Sequence, residues 1–363
     1  MKRILLSGYY GFGNLGDEAI LEATVHSFRQ AQPDLEIAVL SAQPQATAQA
    51  YGVHAAHRAR PGSVLRELRR CNLLLSGGGG LIQDSTSANS AVYYLGIMRL
   101  AQLLGRKTMV FAQGLGPVRL SRNVRLTRSA FRRAQAITVR DEASAEWLCS
   151  IGVTHPEPQV AADLAFLLKP APPEEANEVL AQAGVRADEG LLGISVRPWH
   201  EAPFHSLYEI RSAANDICRQ LGLRPVFVPM HPAQDLPLAQ TWAHALAAKA
   251  AILPADLRPS LALAVVARMS LLIGMRLHGL IFAAMAGVPL VGLSYDPKVD
   301  ALLAELEEQP LGPLDRISAD QIAAAALAAW QDRDERRQRL RSHAAALRER
   351  AGVSISGALA CVD

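Results

Sequence analysis

Cysteine is scarce and badly spaced for any cysteine chemistry. Cys71, Cys149, Cys218 and Cys361 are the only four in 363 residues, and none forms a CxxC pair. That excludes a disulfide scaffold and a cysteine zinc site, and it fits a reducing compartment. No apolar run approaches the ~18 residues a membrane-crossing helix needs. The basic start, Met1-Lys2-Arg3, leads into an apolar stretch too short for a signal-peptide core, so a cytoplasmic protein is expected. Paired metal-ligand histidines, HxxxH or HxH, are missing, and no metal is expected. Charge of one sign is lacking too. A net +3 is too small to call for nucleic acid.

What is present is apolar and periodic. Half the residues are hydrophobic and a fifth are charged, enough for a sizeable core. Short, nearly continuous apolar runs lie at 3–7, 36–40, 72–76, 108–112, 136–139, 191–196, 224–229, 271–274 and 290–293. Runs of that kind mark parallel strands buried on both faces. Longer amphipathic segments at 18–30, 91–104, 123–133, 143–149, 207–221 and 260–269 read as the connecting helices. The alternation predicts an α/β protein with two Rossmann-like domains whose parallel sheets face each other across a cleft. Prolines at 170, 172 and 173 break the chain between them. The expected domains are 1–169 and 177–330. An Arg-rich helical tail, 331–363, is expected to fold back on the first.

Ligands of such folds sit at the carboxyl ends of the strands, so the loops there matter most. The first contains Gly11-Phe12-Gly13-Asn14-Leu15-Gly16, a G-x-G-x-x-G directly after a strand, followed by Asp17 and Glu18. It would suit a dinucleotide, but the second strand ends at Leu40-Ser41-Ala42-Gln43 without the acid that holds a ribose. Close backbone approach to another anion or a sugar is the better reading, beside a simple capped turn. The second loop, Gly77-Gly78-Gly79-Gly80, lacks the Lys-Ser/Thr of a Walker loop. It fits a nest of amides around an anion, with Asp84 free to bond a hydroxyl, or close strand–helix packing. Gln113-Gly114-Leu115-Gly116-Pro117 is expected to shape the same rim.

Cations follow four strands: Arg140, Arg197, Arg276 with His278, and Lys298. A single such arginine reads as a surface ion pair. Several suggest a substrate with more than one anionic group, because guanidinium grips carboxylate and phosphate bidentately. His278 is either satisfied inside the fold or a general acid/base. His200, His205 and His231 lie in Pro-rich loops. Arg119, Arg122, Arg125, Arg128, Arg132 and Arg133 recur at helical spacing, either as solvated surface or as a face for an anionic membrane.

Together the Gly11–Glu18, Gly77–Asp84, Arg140-Asp141 and Ser195-Val196-Arg197 blocks, with Gly274-Met275-Arg276-Leu277-His278-Gly279 and Tyr295-Asp296-Pro297-Lys298, resemble the polysaccharide pyruvyl transferases, nearest their CsaB branch. The resemblance runs from Met1 to about Trp330. Where the family often shows Asp-Pro, this chain has Asp163-Leu164-Ala165. The resemblance implies a glycosyltransferase B-like fold and phosphoenolpyruvate as donor and co-substrate, with no other cofactor. It implies a lipid-linked, N-acetylmannosamine-containing acceptor for anchoring a surface layer, met at the inner face of the membrane. It places donor binding on Arg140, Arg197, Arg276, Leu277 and Lys298, and catalysis on His278. Gly13, Asn14, Asp17, Gly78, Gly79 and Asp84 would shape the acceptor side, with 1–169 as the acceptor domain and 177–330 as the donor domain. A nucleotide-sugar glycosyltransferase of the same fold is the alternative.

Overall fold

The computed structural model describes residues 2–84, 89–199 and 204–362; His200 and the side chain of His205 lie outside the described residues. The chain divides into two units. The first comprises residues 1–12, 17–168 and 347–363, and the second comprises 13–16 and 169–346.

The first unit is a seven-stranded parallel sheet. Its elements are β1 (Arg3–Ser7), α1 (Leu15–Ala31), β2 (Glu36–Ser41), α2 (Pro44–Tyr51), β3 (His54–His57), α3 (Pro61–Arg70) and β4 (Leu73–Ile82). There follow α4 (Ser90–Leu103), β5 (Lys107–Leu115), α5 (Ser121–Phe131), β6 (Ala136–Val139), α6 (Glu142–Ser150), β7 (Pro158–Val160) and a 3-10 turn, Leu164–Leu167. The strand order is β3-β2-β1-β4-β5-β6-β7. The chain therefore reverses direction of winding between β1 and β4, and that is where a crevice opens in such sheets. Leu5, Leu74 and Val110 from the strands meet Leu68, Leu95 and Met98 from the helices in one buried core.

The second unit is a five-stranded parallel sheet, ordered β10-β9-β8-β11-β12. It contains α7 (Pro173–Gln182), β8 (Leu191–Ser195), α8 (Phe204–Leu221), β9 (Arg224–Phe227), α9 (Pro232–Ala245), β10 (Ala251–Ile252) and α10 (Pro259–Val266). Then come β11 (Leu271–Gly274), α11 (Leu277–Ala286), β12 (Leu290–Gly292), α12 (Pro297–Glu305), α13 (Ala319–Gln331) and α14 (Arg333–Val362). Its switch point lies between β8 and β11. Leu192, Ile194 and Ile273 pack there against Ile210, Ile217 and Ile322.

Three strands carry no apolar run and were not expected: β3 (HAAH), β7 (PQV) and β10 (AI). All three lie at sheet edges, where one partner and half-burial suffice. The larger correction concerns the glycines. Gly77–Gly80 do not form a loop after a strand; they lie inside β4, which runs on to Ile82. β5 likewise continues through Gln113 and Gly114 to Leu115, pairing Gly79 with Gln113 and Ile82 with Leu115 across a bulge. Close packing is the cause at Gly77. It sits at φ 150°, and a Cβ there would lie 2.9 Å from the carbonyl carbon of Phe111 on the neighbouring strand.

The arginine-rich tail is one 30-residue helix, α14, whose residues up to 346 belong to the second unit and from 347 to the first. Three of its arginines are held by buried acceptors or backbone carbonyls. Arg336 and Arg339 donate to the two carboxylate oxygens of buried Glu308 at 2.5 and 2.7 Å, and Arg350 donates to the Ala161 carbonyl at 2.7 Å.

Candidate active site

In the first unit the switch point is lined by groups that satisfy one another. α1 begins at Leu15, earlier than the apolar pattern indicates, so Asp17 and Glu18 fall in its first turn. Glu18 Oε1 accepts from the Gly11 amide at 2.7 Å, and Oε2 accepts from the Tyr51 hydroxyl at 2.9 Å. Burial pushes the Glu18 carboxyl above its ordinary range, against the pull of those two donors. The Gly11 amide is therefore closed off by a carboxylate, and the G-x-G-x-x-G is not a pyrophosphate cradle. Gly78 and Gly79 lie in β4 under α1. A Cβ on Gly78 would lie 2.9 Å from Tyr10 Oη, and one on Gly79 would lie 3.0 Å from Asp17 Oδ1.

Asp84 departs from expectation as well. Its Oδ2 accepts from the Arg119 and Leu120 amides at 2.7 Å each, and Asn123 Nδ2 donates to Oδ1 at 2.5 Å. Burial raises its pKa, but those donors outweigh it and hold the carboxyl below the usual range. It closes the start of α5 and is not free for a hydroxyl, because the extended β4–β5 pair carries it to that helix.

Arg140 follows β6 and is nearly buried. It lies 3.3 Å from Asp141 and 3.6 Å from Asp163, with its guanidinium laid over Gly114, where no side chain could stand. Asp163 itself caps the following 3-10 turn through the Ala165 amide. Arg58 carries no signal in the sequence because it follows the edge strand β3. Its guanidinium packs over Phe12, Tyr93 and Tyr94 at 4.4–5.1 Å and donates to the Gly8 carbonyl and the Tyr94 hydroxyl. Tyr9 stacks on Phe12 at 4.1 Å.

In the second unit the strand ends collect cations. Arg276 precedes α11. Its guanidinium grips Asp235 through Nε (3.1 Å) and Nη2, and reaches Gln234 Oε1 at 3.1 Å. Asp235 is 2 % exposed and also accepts from the Met230 and His231 amides. It is illegible in the sequence because it is one acid inside a helix, with no motif around it. Four donors converge on this carboxylate, two of them from Arg276, and so fix the orientation of its guanidinium. His231 lies between the charges. Burial first, then Arg276, lowers its pKa, with Arg197 adding to this and Asp235 opposing it.

Arg197, after β8, packs 5.8 Å from the rings of both Trp199 and Tyr295, which meet edge to face. Lys298 lies 5.7 Å from Tyr295 and pairs with Asp296 at 2.9 Å. Tyr295 thus joins Lys298 and Arg197 at the ends of β8 and β12, while Asp235 joins Arg276 and the His231 amide at the ends of β9 and β11. Residues 13–16 join this unit: the Leu15 amide donates to the Met230 carbonyl, and the His278 ring occupies the space above Gly16. Asn14 Oδ1 accepts from the Gly16 amide at 3.1 Å and so caps α1. Leu277 is buried in the first turn of α11, one residue before His278.

The sequence-predicted residues thus fall into two sets. Arg197, Arg276, Leu277, His278, Lys298, Gly13 and Asn14 share the second unit. Arg140, Asp17, Gly78, Gly79 and Asp84 belong to the first. Among the described residues, no group of three His, Cys, Asp or Glu is placed to hold a metal ion, and no helix is long and apolar enough to cross a membrane.

Two parallel α/β sheets with ligand-type side chains at their switch points define a glycosyltransferase B-like protein. Solved structures agree on the fold. The UDP-GlcNAc 2-epimerase of Neisseria meningitidis bound to UDP-GlcNAc matches with a TM-score of 0.66 at 12% identity, covering 99% of this chain and 100% of that one. Anabaena HepE in complex with UDP-glucose matches at 0.65 and 13%, covering 99% and 98%. The UDP-GlcNAc 2-epimerase of Methanocaldococcus jannaschii matches at 0.62 and 14%, covering 91% and 93%. Curated proteins provide no match. The model of the polysaccharide pyruvyl transferase family matches residues 14–297, so the chain belongs to that enzyme family.

Proposed function

We propose that this chain transfers pyruvate from phosphoenolpyruvate onto two hydroxyls of one sugar of a polysaccharide precursor, as a ketal, and releases phosphate. The observation that carries the reading is the set of cations at the strand ends of the second unit, Arg276, Arg197 and Lys298, with His278 two residues after Arg276 in the first turn of α11; all but Lys298 fall within the matched residues 14–297. Phosphoenolpyruvate presents a carboxylate and a phosphate close together. Arg197, the Arg276 nitrogen not turned to Asp235 and Gln234, and the Lys298 ammonium offer cationic donors to both groups.

Net, one hydroxyl proton goes to the methylene carbon, which becomes the methyl group, and the other leaves with the phosphate. Both sugar oxygens bond to the former enol carbon. His278 is the proton-transfer residue, and the arginines stabilise the charge on the departing phosphate. Phosphoenolpyruvate is consumed as co-substrate, so the reaction as written needs no resident cofactor. The acceptor we favour is a lipid-linked, N-acetylmannosamine-containing cell-wall precursor, as in the CsaB branch. The reaction would then take place at the cytoplasmic leaflet, and its product would serve to anchor a surface layer.

The test is phosphate release from phosphoenolpyruvate, with and without a short-chain sugar-pyrophosphate acceptor. Acceptor-dependent release is expected. Indifference to phosphoenolpyruvate, together with turnover of a UDP-sugar, would assign the chain to nucleotide-sugar transfer instead.

A further inference from the structure

The first unit carries a charge asymmetry that the donor site does not use. Between Asp84 and Asp141 the chain has no acidic residue, yet it has nine arginines and one lysine, against a net +3 for all 363 residues. Six of the ten lie on or beside α5, and Arg119, Arg122, Arg125, Arg128, Arg132 and Arg133 are all exposed. Among the described residues, five of these, Arg119, Arg125, Arg128, Arg132 and Arg133, form no ion pair.

α4 lies alongside α5 and runs parallel to it. Arg122 Nη2 donates to Asn89 Oδ1 at the N-terminal ends, and Gln102 Nε2 donates to the Ala130 carbonyl at the C-terminal ends. The outward stripe of α4 is apolar where solvent would favour charge: Gly96, Leu100 and Leu103 are exposed, at three- and four-residue spacing on one face. Leu103 is 76% exposed, Leu100 36%, and Leu120 and Leu126 beside the arginines 39% and 36%.

We propose that the outer faces of α4 and α5 form a docking surface for an anionic phospholipid bilayer. Arginine alone would suit any polyanion. Exposed leucines flanking the arginines fit the headgroup–acyl boundary, where the leucines enter the apolar layer and guanidinium groups stay with the phosphates. A nucleic acid or an acidic glycan offers no such layer. The surface uses none of the donor-site residues, so the proposal stands apart from the assigned chemistry.

The experiment is co-sedimentation of the full chain with vesicles of phosphatidylcholine alone, or with phosphatidylglycerol at three parts in ten. The protein should bind the anionic vesicles at 0.05 M salt, ignore the neutral ones, and detach near 1 M, where the Debye length falls to ~3 Å. Replacing Arg122, Arg125 and Arg128 by Gln should weaken binding about 10²-fold, since each basic residue contributes roughly a factor of five. Leu103→Ser should weaken it about tenfold at unchanged charge. All variants should keep wild-type thermal melting and wild-type phosphate release with a short-chain, water-soluble acceptor. Vesicle binding unaffected by either change overturns the proposal. So does Arg-dependent binding that Leu103→Ser leaves intact and heparin reproduces, which would make the surface a general polyanion site. Loss of phosphate release in the wild type would strike the assigned reaction and leave the vesicle result standing.

Discussion

The switch points of the two sheets, β1/β4 and β8/β11, share one topology and carry opposite chemistry. At β1/β4 the polar groups are spent on each other. Glu18 closes the Gly11 amide, and Arg58, after β3, is held by aromatic rings and the Gly8 carbonyl. At β8/β11 one buried carboxylate, Asp235, aligns Arg276, while Arg197 and Lys298 are held mainly by ring faces and a half-exposed partner. The lesson is that glycine-rich sequence after a strand does not by itself make an anion site. A backbone amide has one hydrogen and is spent on one acceptor, whereas a guanidinium has five and keeps donors after a carboxylate has oriented it.

The largest expected effect falls on the second unit. His278→Ala should reduce turnover by about 10²–10⁴-fold with the thermal melt retained, because a positioned proton-transfer group is worth that much. In the same unit, Arg276→Lys keeps the charge but cannot hold Asp235 bidentately, and calorimetry should show weaker phosphoenolpyruvate binding. A folded His278→Ala protein with near-normal turnover would break the contrast between the units.

The next effect belongs to the first unit and is one of stability. Gly77→Ala should destabilise by about 1–3 kcal/mol, since its Cβ meets the Phe111 backbone and its φ is positive. Gly80→Ala, three residues along, meets nothing within 4 Å and should change stability by no more than about 0.5 kcal/mol. Denaturant midpoints for the pair would show whether the four glycines serve packing. Equal effects would remove the structural explanation.

The smallest effect is a change of pH slope. Burial raises the Glu18 carboxyl in the folded chain, so the folded state binds this proton more tightly than the unfolded one. Its contribution to stability is full below the unfolded value, ~4.3, and is lost as pH rises through the folded value. Glu18→Gln keeps an acceptor for the Gly11 amide and does not ionise. It should flatten that part of the stability–pH curve, by an amount on the scale of one hydrogen bond, about 1 kcal/mol. An unchanged slope would mean that Glu18 is not desolvated as the fold implies.

Much of this was legible in residue order. β1, β6 and β11 lie where their apolar runs predict, because strands buried on both faces must be apolar throughout. The cations at the ends of β6, β8, β11 and β12 could be placed for the same reason: locating a strand also locates the side chains just past its carboxyl end. The edge strands were illegible, and Arg58 was lost with β3.

The sequence by itself determined the α/β class, the buried strands, and the arginine, lysine and histidine side chains that follow their carboxyl ends. Those depend on periodicity and local order along the chain. Tertiary structure alone decided which polar groups remain for a ligand. Asp84 is claimed by amides 35 and 36 residues away and Gly11 by a glutamate across a turn, whereas Arg276 is oriented by an aspartate 41 residues earlier. A hydrogen bond saturates its donor, and the partner that saturates it is chosen by packing across the sheet, at distances in sequence that no local pattern encodes.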